Sequence, residues 1–117
     1  MNENPLAEKS YQLALNVVRG YKDLVATHKE FVLSKQLLRC GTSIGANIAE
    51  ANGAISTADF SAKMSIAYKE SLETKYWLKL LKDSEYISIT TFNDLFSKTD
   101  EVSKILFSIL KKTRINK

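Results

Sequence analysis

The sequence predicts an all-α fold: an antiparallel up-down bundle of four helices, in a single domain over residues 1–117. Three observations carry this. Apolar residues recur at three- and four-residue spacing in four separate stretches. The connections between those stretches are short, as antiparallel neighbours require. One proline and four glycines leave too few chain-breaking residues for the many turns of an all-β chain.

The elements follow in order. Asn4-Pro5 opens the first helix, about 5–27, with Asn4 as N-cap and Pro5 at the first helical position, where its missing N–H costs nothing. Leu6, Leu13, Val17, Tyr21, Leu24 and Val25 cluster on one face, with Ala14 and Val18 beside them. The second helix, about 35–51, is the most informative stretch. Ser34 is its expected N-cap, and Gly53 is expected beyond its end at positive φ. Leu37, Leu38, Gly41, Ile44, Gly45, Ile48 and Ala49 share one side. Gly41, Gly45 and Ala49 recur every four residues, so one line along this helix carries almost no side chain. An interior glycine costs roughly 1 kcal/mol against alanine, so this line implies a close crossing by a neighbouring helix.

Ser56-Thr57-Ala58-Asp59 reads as a capping-box variant at the start of a third helix, about 57–83. Its inner face holds Phe60, Met64, Ala67, Ser71, Thr74, Trp77, Leu78 and Leu81. Thr90 or Thr91 is the expected cap of the fourth helix, about 91–113, with Phe92, Leu95, Phe96, Val102, Leu106, Ile109 and Leu110 inward. The basic end, 111–117, is expected to fray. Leu72, Tyr76 and Leu80 form a second apolar stripe on the third helix, away from its inner face. A monomeric helix places polar residues there, so the stripe is expected to meet another subunit.

Composition limits the chemistry. Cys40 is the single cysteine, so no internal disulfide forms and a reducing compartment is expected. The opening MNENPLAEKS has no apolar signal region, and no stretch approaches the ~18 apolar residues of a membrane span. The expected location is the cytoplasm, without membrane contact. A di-iron bundle needs Glu-x-x-His pairs on two helices, but His28 is the lone histidine, and no metal or cofactor is expected. Spacing alone leaves Cys40 and His28 open as a nucleophile pair, but a mid-helix thiol at the edge of an apolar face is read as buried and inert. Gly41-x-x-x-Gly45 lacks the Lys-Ser/Thr of a phosphate loop. The chain is read as a non-enzyme.

Two polar features remain. Arg39, Ser43, Asn47 and Glu50 line one stripe of the second helix, spaced as helical neighbours. A ligand contact and a register-fixing structural network both fit, and the structural reading is favoured. The second feature is charge. Residues 1–60 carry six basic and six acidic residues, whereas residues 61–117 carry eleven and seven, so the whole excess of +4 lies in the second half. Lys75, Lys79 and Lys82 make a ridge about 10 Å long, suited to phosphates or simply to solvent. Lys111, Lys112, Arg114 and Lys117 extend it. Tyr68 shares that face, either to stack on an unpaired base or to pack.

The run Gln36-Leu37-Leu38-Arg39, the core Ser43-Ile44-x-x-Asn47-Ile48-Ala49-Glu50, then Phe60 and Ala67…Ser71-x-Glu73, resembles the bacterial 23S rRNA intervening-sequence proteins. That superfamily includes the accessory variability protein of diversity-generating retroelements. The resemblance covers roughly residues 8–112 and departs at Ala51, where the family usually has glycine. It implies a non-enzymatic four-helix bundle that assembles as a homopentamer. For the retroelement branch it implies contact with nucleic acid and a protein partner such as a reverse transcriptase. Two functions are therefore expected: an oligomer binding RNA or DNA backbone through a basic surface, or a protein–protein scaffold without nucleic acid.

Overall fold

The computed structural model describes residues 4–115, with side chains described through residue 113. Four helices follow one another: α1 (Pro5–His28), α2 (Leu33–Asn52), α3 (Thr57–Asp83) and α4 (Ile89–Ile115). Each packs on the next, α4 closes against α1, and the diagonal pairs make no close backbone approach among the described residues. Val17 meets Gly41 and Ser10 meets Gly45, Arg39 meets Glu70 and Glu50 meets Lys63, Lys75 meets Asp100 and Ser71 meets Ser103. At the α4–α1 seam Lys9 meets Glu101 and Gly20 faces Leu95, so across every seam one number rises as the other falls, which is the signature of antiparallel neighbours.

The inner faces are those the periodicity marked. Leu13, Val17, Leu24, Leu37, Ile44, Ile48, Leu78, Leu81, Val102 and Leu106 are fully buried or nearly so. Six hydroxyls lie among them: Ser10, Ser34, Ser71, Thr74, Thr99 and Ser103. Most donate to a carbonyl one turn back in their own helix, as Thr99 does to Leu95 at 2.7 Å and Thr74 to Glu70 at 2.8 Å. Ser71 also reaches Ser103 at 3.1 Å, across the α3–α4 seam. No buried side-chain nitrogen or oxygen is left without a partner among the described residues, so a hydrogen bond offsets the desolvation of each.

The helix ends divide into those read correctly and those not. The Asn4 side chain accepts from the Ala7 N–H at 3.1 Å, with Pro5 at the first position, and Ser56 accepts from Asp59 N–H at 3.0 Å. Ser34, however, is not the N-cap of α2. The helix starts earlier, at Leu33, and its first amides donate to the carboxylate of Glu30: Val32 and Leu33 at 3.0 Å, Ser34 at 2.6 Å. Ser34 turns its hydroxyl back to the Glu30 carbonyl at 2.7 Å. A longer acidic side chain from outside the helix thus outcompetes the local hydroxyl, because it satisfies three donors at once. Thr90 and Thr91 do not cap α4 either. Ser88 does, accepting from the Thr91 N–H at 3.0 Å. Gly53 has φ −103, not a positive angle, and its N–H closes a tight turn onto Glu50 at 3.1 Å. The left-handed residues are Lys29 and Glu85, at φ 52 and 69. Ala51, the departure from the resembling family, is buried in the last turn of α2.

The line of small residues on α2 winds outward. A Cβ on Gly41 would lie 2.8 Å from both methyls of Val17, and one on Gly45 would lie 3.4 Å from the Ser10 hydroxyl. Ala49, read as inner, is exposed. With Ala7, Tyr11, Ala14, Gly45 and Ala46 it lines a shallow groove of about 1040 Å³ between α1 and α2.

Candidate nucleic-acid interface

The lysine ridge lies where α3 turns toward α4, and the seam takes part of its charge. Lys75 Nζ sits 2.7 Å from Asp100 and 5.5 Å from the centre of the Phe96 ring. Lys104 holds the other Asp100 oxygen at 3.1 Å. Hydrogen bonds from Lys75 and Lys104 hold the Asp100 carboxyl below the usual range. Lys82 lies over the Phe92 ring at 4.4 Å, with Asp83 at 3.5 Å. Lys79 is exposed and has no ion pair among the described residues. The ridge is therefore not three equivalent free charges. Lys75 is largely spent on Asp100, Lys82 keeps its charge over an aromatic face, and Lys79 is open to solvent. Lys111 and Lys112 are exposed in the last turns of α4, while the Arg114 side chain and Lys117 lie outside the described residues.

Sequence reasoning took only the basic end of α4, Lys111 onward, into this surface, yet the middle of α4 supplies much of it. Phe92, Phe96, Asp100, Lys104, Phe107 and Lys111 follow one another at three- and four-residue steps along one side of that helix. Tyr68 packs at 5.9 Å from Phe107, with the rings tilted by 42°. The periodicity was visible; that it faces the lysines of α3 required knowing which helices are neighbours.

The polar stripe of α2 finds its partners on α3. Arg39 pairs with Glu73, and with Glu70 at 3.5 Å, and also meets Gln36. The Ser43 hydroxyl reaches Glu70 at 3.4 Å, Asn47 donates to Ser43 at 2.9 Å, and Glu50 pairs with Lys63 at 2.9 Å. The indole of Trp77 donates to Glu73 at 2.9 Å. The chain of contacts passes through Glu70 of α3 rather than running along α2 alone, so the stripe is occupied within the molecule.

Leu72 and Tyr76 are 44% and 60% exposed, and Leu80 is half-buried. The second stripe of α3 thus faces outward. Cys40 is fully buried, lies 3.3 Å from the Thr74 hydroxyl, and has its thiol pushed up by burial, which makes it a packing group. His28 ends α1 with its ring edge-on to Tyr86. Among the described residues no cluster of three or more His, Cys, Asp or Glu is arranged to hold a metal, and no helix is long and apolar enough to cross a membrane.

With this geometry in hand, the comparisons with known proteins are specific. The family model described as "23S rRNA-intervening sequence protein" matches residues 2–108. A crystal structure from Bacteroides thetaiotaomicron, described as a protein of unknown function from the S23 ribosomal protein family, is 50% identical. The match covers 91% of this chain and 98% of that one, with a TM-score of 0.89. A search of the curated proteins finds no match.

Proposed function

This chain belongs to the 23S rRNA-intervening sequence protein family, and on that footing we propose that it is a non-enzymatic oligomeric bundle that holds RNA or DNA backbone on its α3–α4 face. The observation that carries this is the placement of charge. Lys79, Lys82 and Lys111 lie along one seam with Lys75 and Lys104, which share the single charge of Asp100, within the half of the chain that holds the whole positive excess. Lysines on a helix face contact phosphates rather than base edges, so binding is sequence-independent. Oligomerisation repeats a weak patch and raises effective concentration by orders of magnitude. Binding should weaken steeply between about 50 and 200 mM salt. Neutralising Lys79 and Lys82 together lowers both affinity and salt slope, whereas Lys75→Gln, whose charge Asp100 already meets, lowers them less. Fluorescence anisotropy with structured RNA and duplex DNA measures this. Absence of binding even at low salt sinks the nucleic-acid reading and leaves the protein scaffold.

The scaffold reading has its own support in the outward apolar stripe and the small-residue groove on the opposite side of the bundle. Two different apolar faces favour a head-to-tail contact, which forms a ring where its rotation closes, and the family resemblance points to five copies in a cytoplasmic homopentamer. The stripe Leu72, Tyr76, Leu80 is then the interface. A Leu72→Glu, Leu80→Glu double variant should sediment near 13.2 kDa while remaining helical. Persistence of the wild-type oligomer in that variant removes the stripe from the interface.

A further inference from the structure

We infer that the α3–α4 face is built for single-stranded nucleic acid, with Phe107 as the platform on which an unpaired base stacks. This rests on the nucleic-acid reading above and adds the class of strand. Phe107 is 53% exposed. Its ring lies against Tyr68, which supports it from α3. Lys104 stands one turn before it and Lys111 one turn after, both exposed and on the same side of α4. Lys104 shares Asp100 with Lys75, so Lys75, Lys104 and Asp100 together carry one net positive charge there.

A single exposed aromatic needs no special explanation, but this one is bracketed by cations. Protein interfaces deplete lysine at their apolar centres, so a ring fenced by lysines fits another protein poorly. Surfaces for single strands combine a positive track with exposed aromatic faces, and that is the combination present. The other aromatics of the seam do different work. Phe92 and Phe96 are half-buried, with Lys82 and Lys75 over their rings. They hold the lysines in line and leave Phe107 as the ring open to a ligand. From Phe92 to Phe107 the face runs about 22 Å along α4, enough for a few nucleotides. A duplex keeps its bases stacked inside, so it would engage the lysines and not the ring.

The test is anisotropy with labelled oligo(U) and oligo(dT) of about 15 nucleotides and with a duplex of equal length, at about 50 and 200 mM salt. Phe107→Ala should weaken single-strand binding by about tenfold or more, the scale of one lost base stack. It should leave duplex binding and the salt slope unchanged, because the ring carries no charge. Phe107→Trp should restore single-strand binding. A Lys104→Gln, Lys111→Gln variant should weaken both ligands and flatten the slope. Circular dichroism and sedimentation accompany each variant. If single strand and duplex bind wild type equally and Phe107→Ala changes neither, the single-strand inference is overturned and the nucleic-acid reading stands. If Phe107→Ala alters the oligomer instead, the ring belongs to a protein interface and the inference is likewise overturned. If wild type binds neither ligand at low salt, both readings fall.

Discussion

Gly41→Leu should destabilise the bundle by about 3 kcal/mol, and even Gly41→Ala by about 1–2 kcal/mol, although alanine is the better helix former. The reason is one contact. The added Cβ lies 2.8 Å from both methyls of Val17, a β-branched side chain with no exposed surface. Helix α1 must back away from α2, and a close-packed interior transmits that displacement to the layers above and below. Gly45→Ala is the control. Its Cβ falls 3.4 Å from the Ser10 hydroxyl and 3.5 Å from the Ser10 carbonyl, tight at the first and ordinary at the second. The gain in helix propensity, roughly 1 kcal/mol, then leaves that variant as stable as wild type or slightly more so. Urea unfolding followed by circular dichroism separates them. Equal midpoints for Gly41→Ala and wild type would refute the crossing.

Glu30→Gln should cost about 2–3 kcal/mol at neutral pH, the loss of a charged acceptor that serves three helix-end amides. A glutamine offers one carbonyl oxygen where the carboxylate offers two, and its amide group donates into a space already filled by N–H groups. The pH dependence has a definite sign. Burial raises the Glu30 carboxyl, but the N–H groups of Leu33, Ser34 and Val32 and the Ser34 hydroxyl outweigh it, so the folded pKa is depressed. A depressed carboxylate contributes stability that is complete above its unfolded pKa, about 4.3, and lost as pH falls through the folded value. Wild type should therefore lose stability on that acid limb faster than Glu30→Gln. Asp100, depressed by Lys75 and Lys104, keeps its acid dependence in both. Thermal melts from neutral pH down to about 3 measure the difference, and parallel curves would show that the carboxylate is not the cap.

What the sequence made legible follows from what periodicity encodes. The apolar spacing of Leu13, Val17 and Leu24, or of Leu78 and Leu81, states which side of a helix turns inward, and the structure buries those residues. Local caps were legible at Asn4 and Ser56, each three residues from its donor and next to a clear start signal, but not at Ser88, which has the same spacing and stands among competing hydroxyls at Thr90 and Thr91. Nor were they legible where the capping group stands off the helix, as Glu30 does. Pairings across seams were the larger gap. Arg39 was visible as one member of a polar stripe, but its partners Glu70 and Glu73 lie more than thirty residues away. Lys75 was read as a free charge because Asp100 lies on another helix at a distance in sequence that no spacing rule reaches. For the candidate site, the lysines of α3 were legible, while Phe107 and Lys104 gained meaning only from the neighbouring helix.

The Glu73 carboxylate, described above as a link between α2 and α3, also ties down the single tryptophan of the chain. The Trp77 indole is anchored to the group that Arg39 holds, and its ring stands edge-on to Tyr76 at 5.0 Å. One chromophore thus touches the α2–α3 seam on one side and the outward apolar stripe on the other. Its emission is an unlabelled optical report of both: separation of the two helices takes Arg39 away from the carboxylate that holds the indole, and burial of Tyr76 against another copy changes the surroundings of the ring.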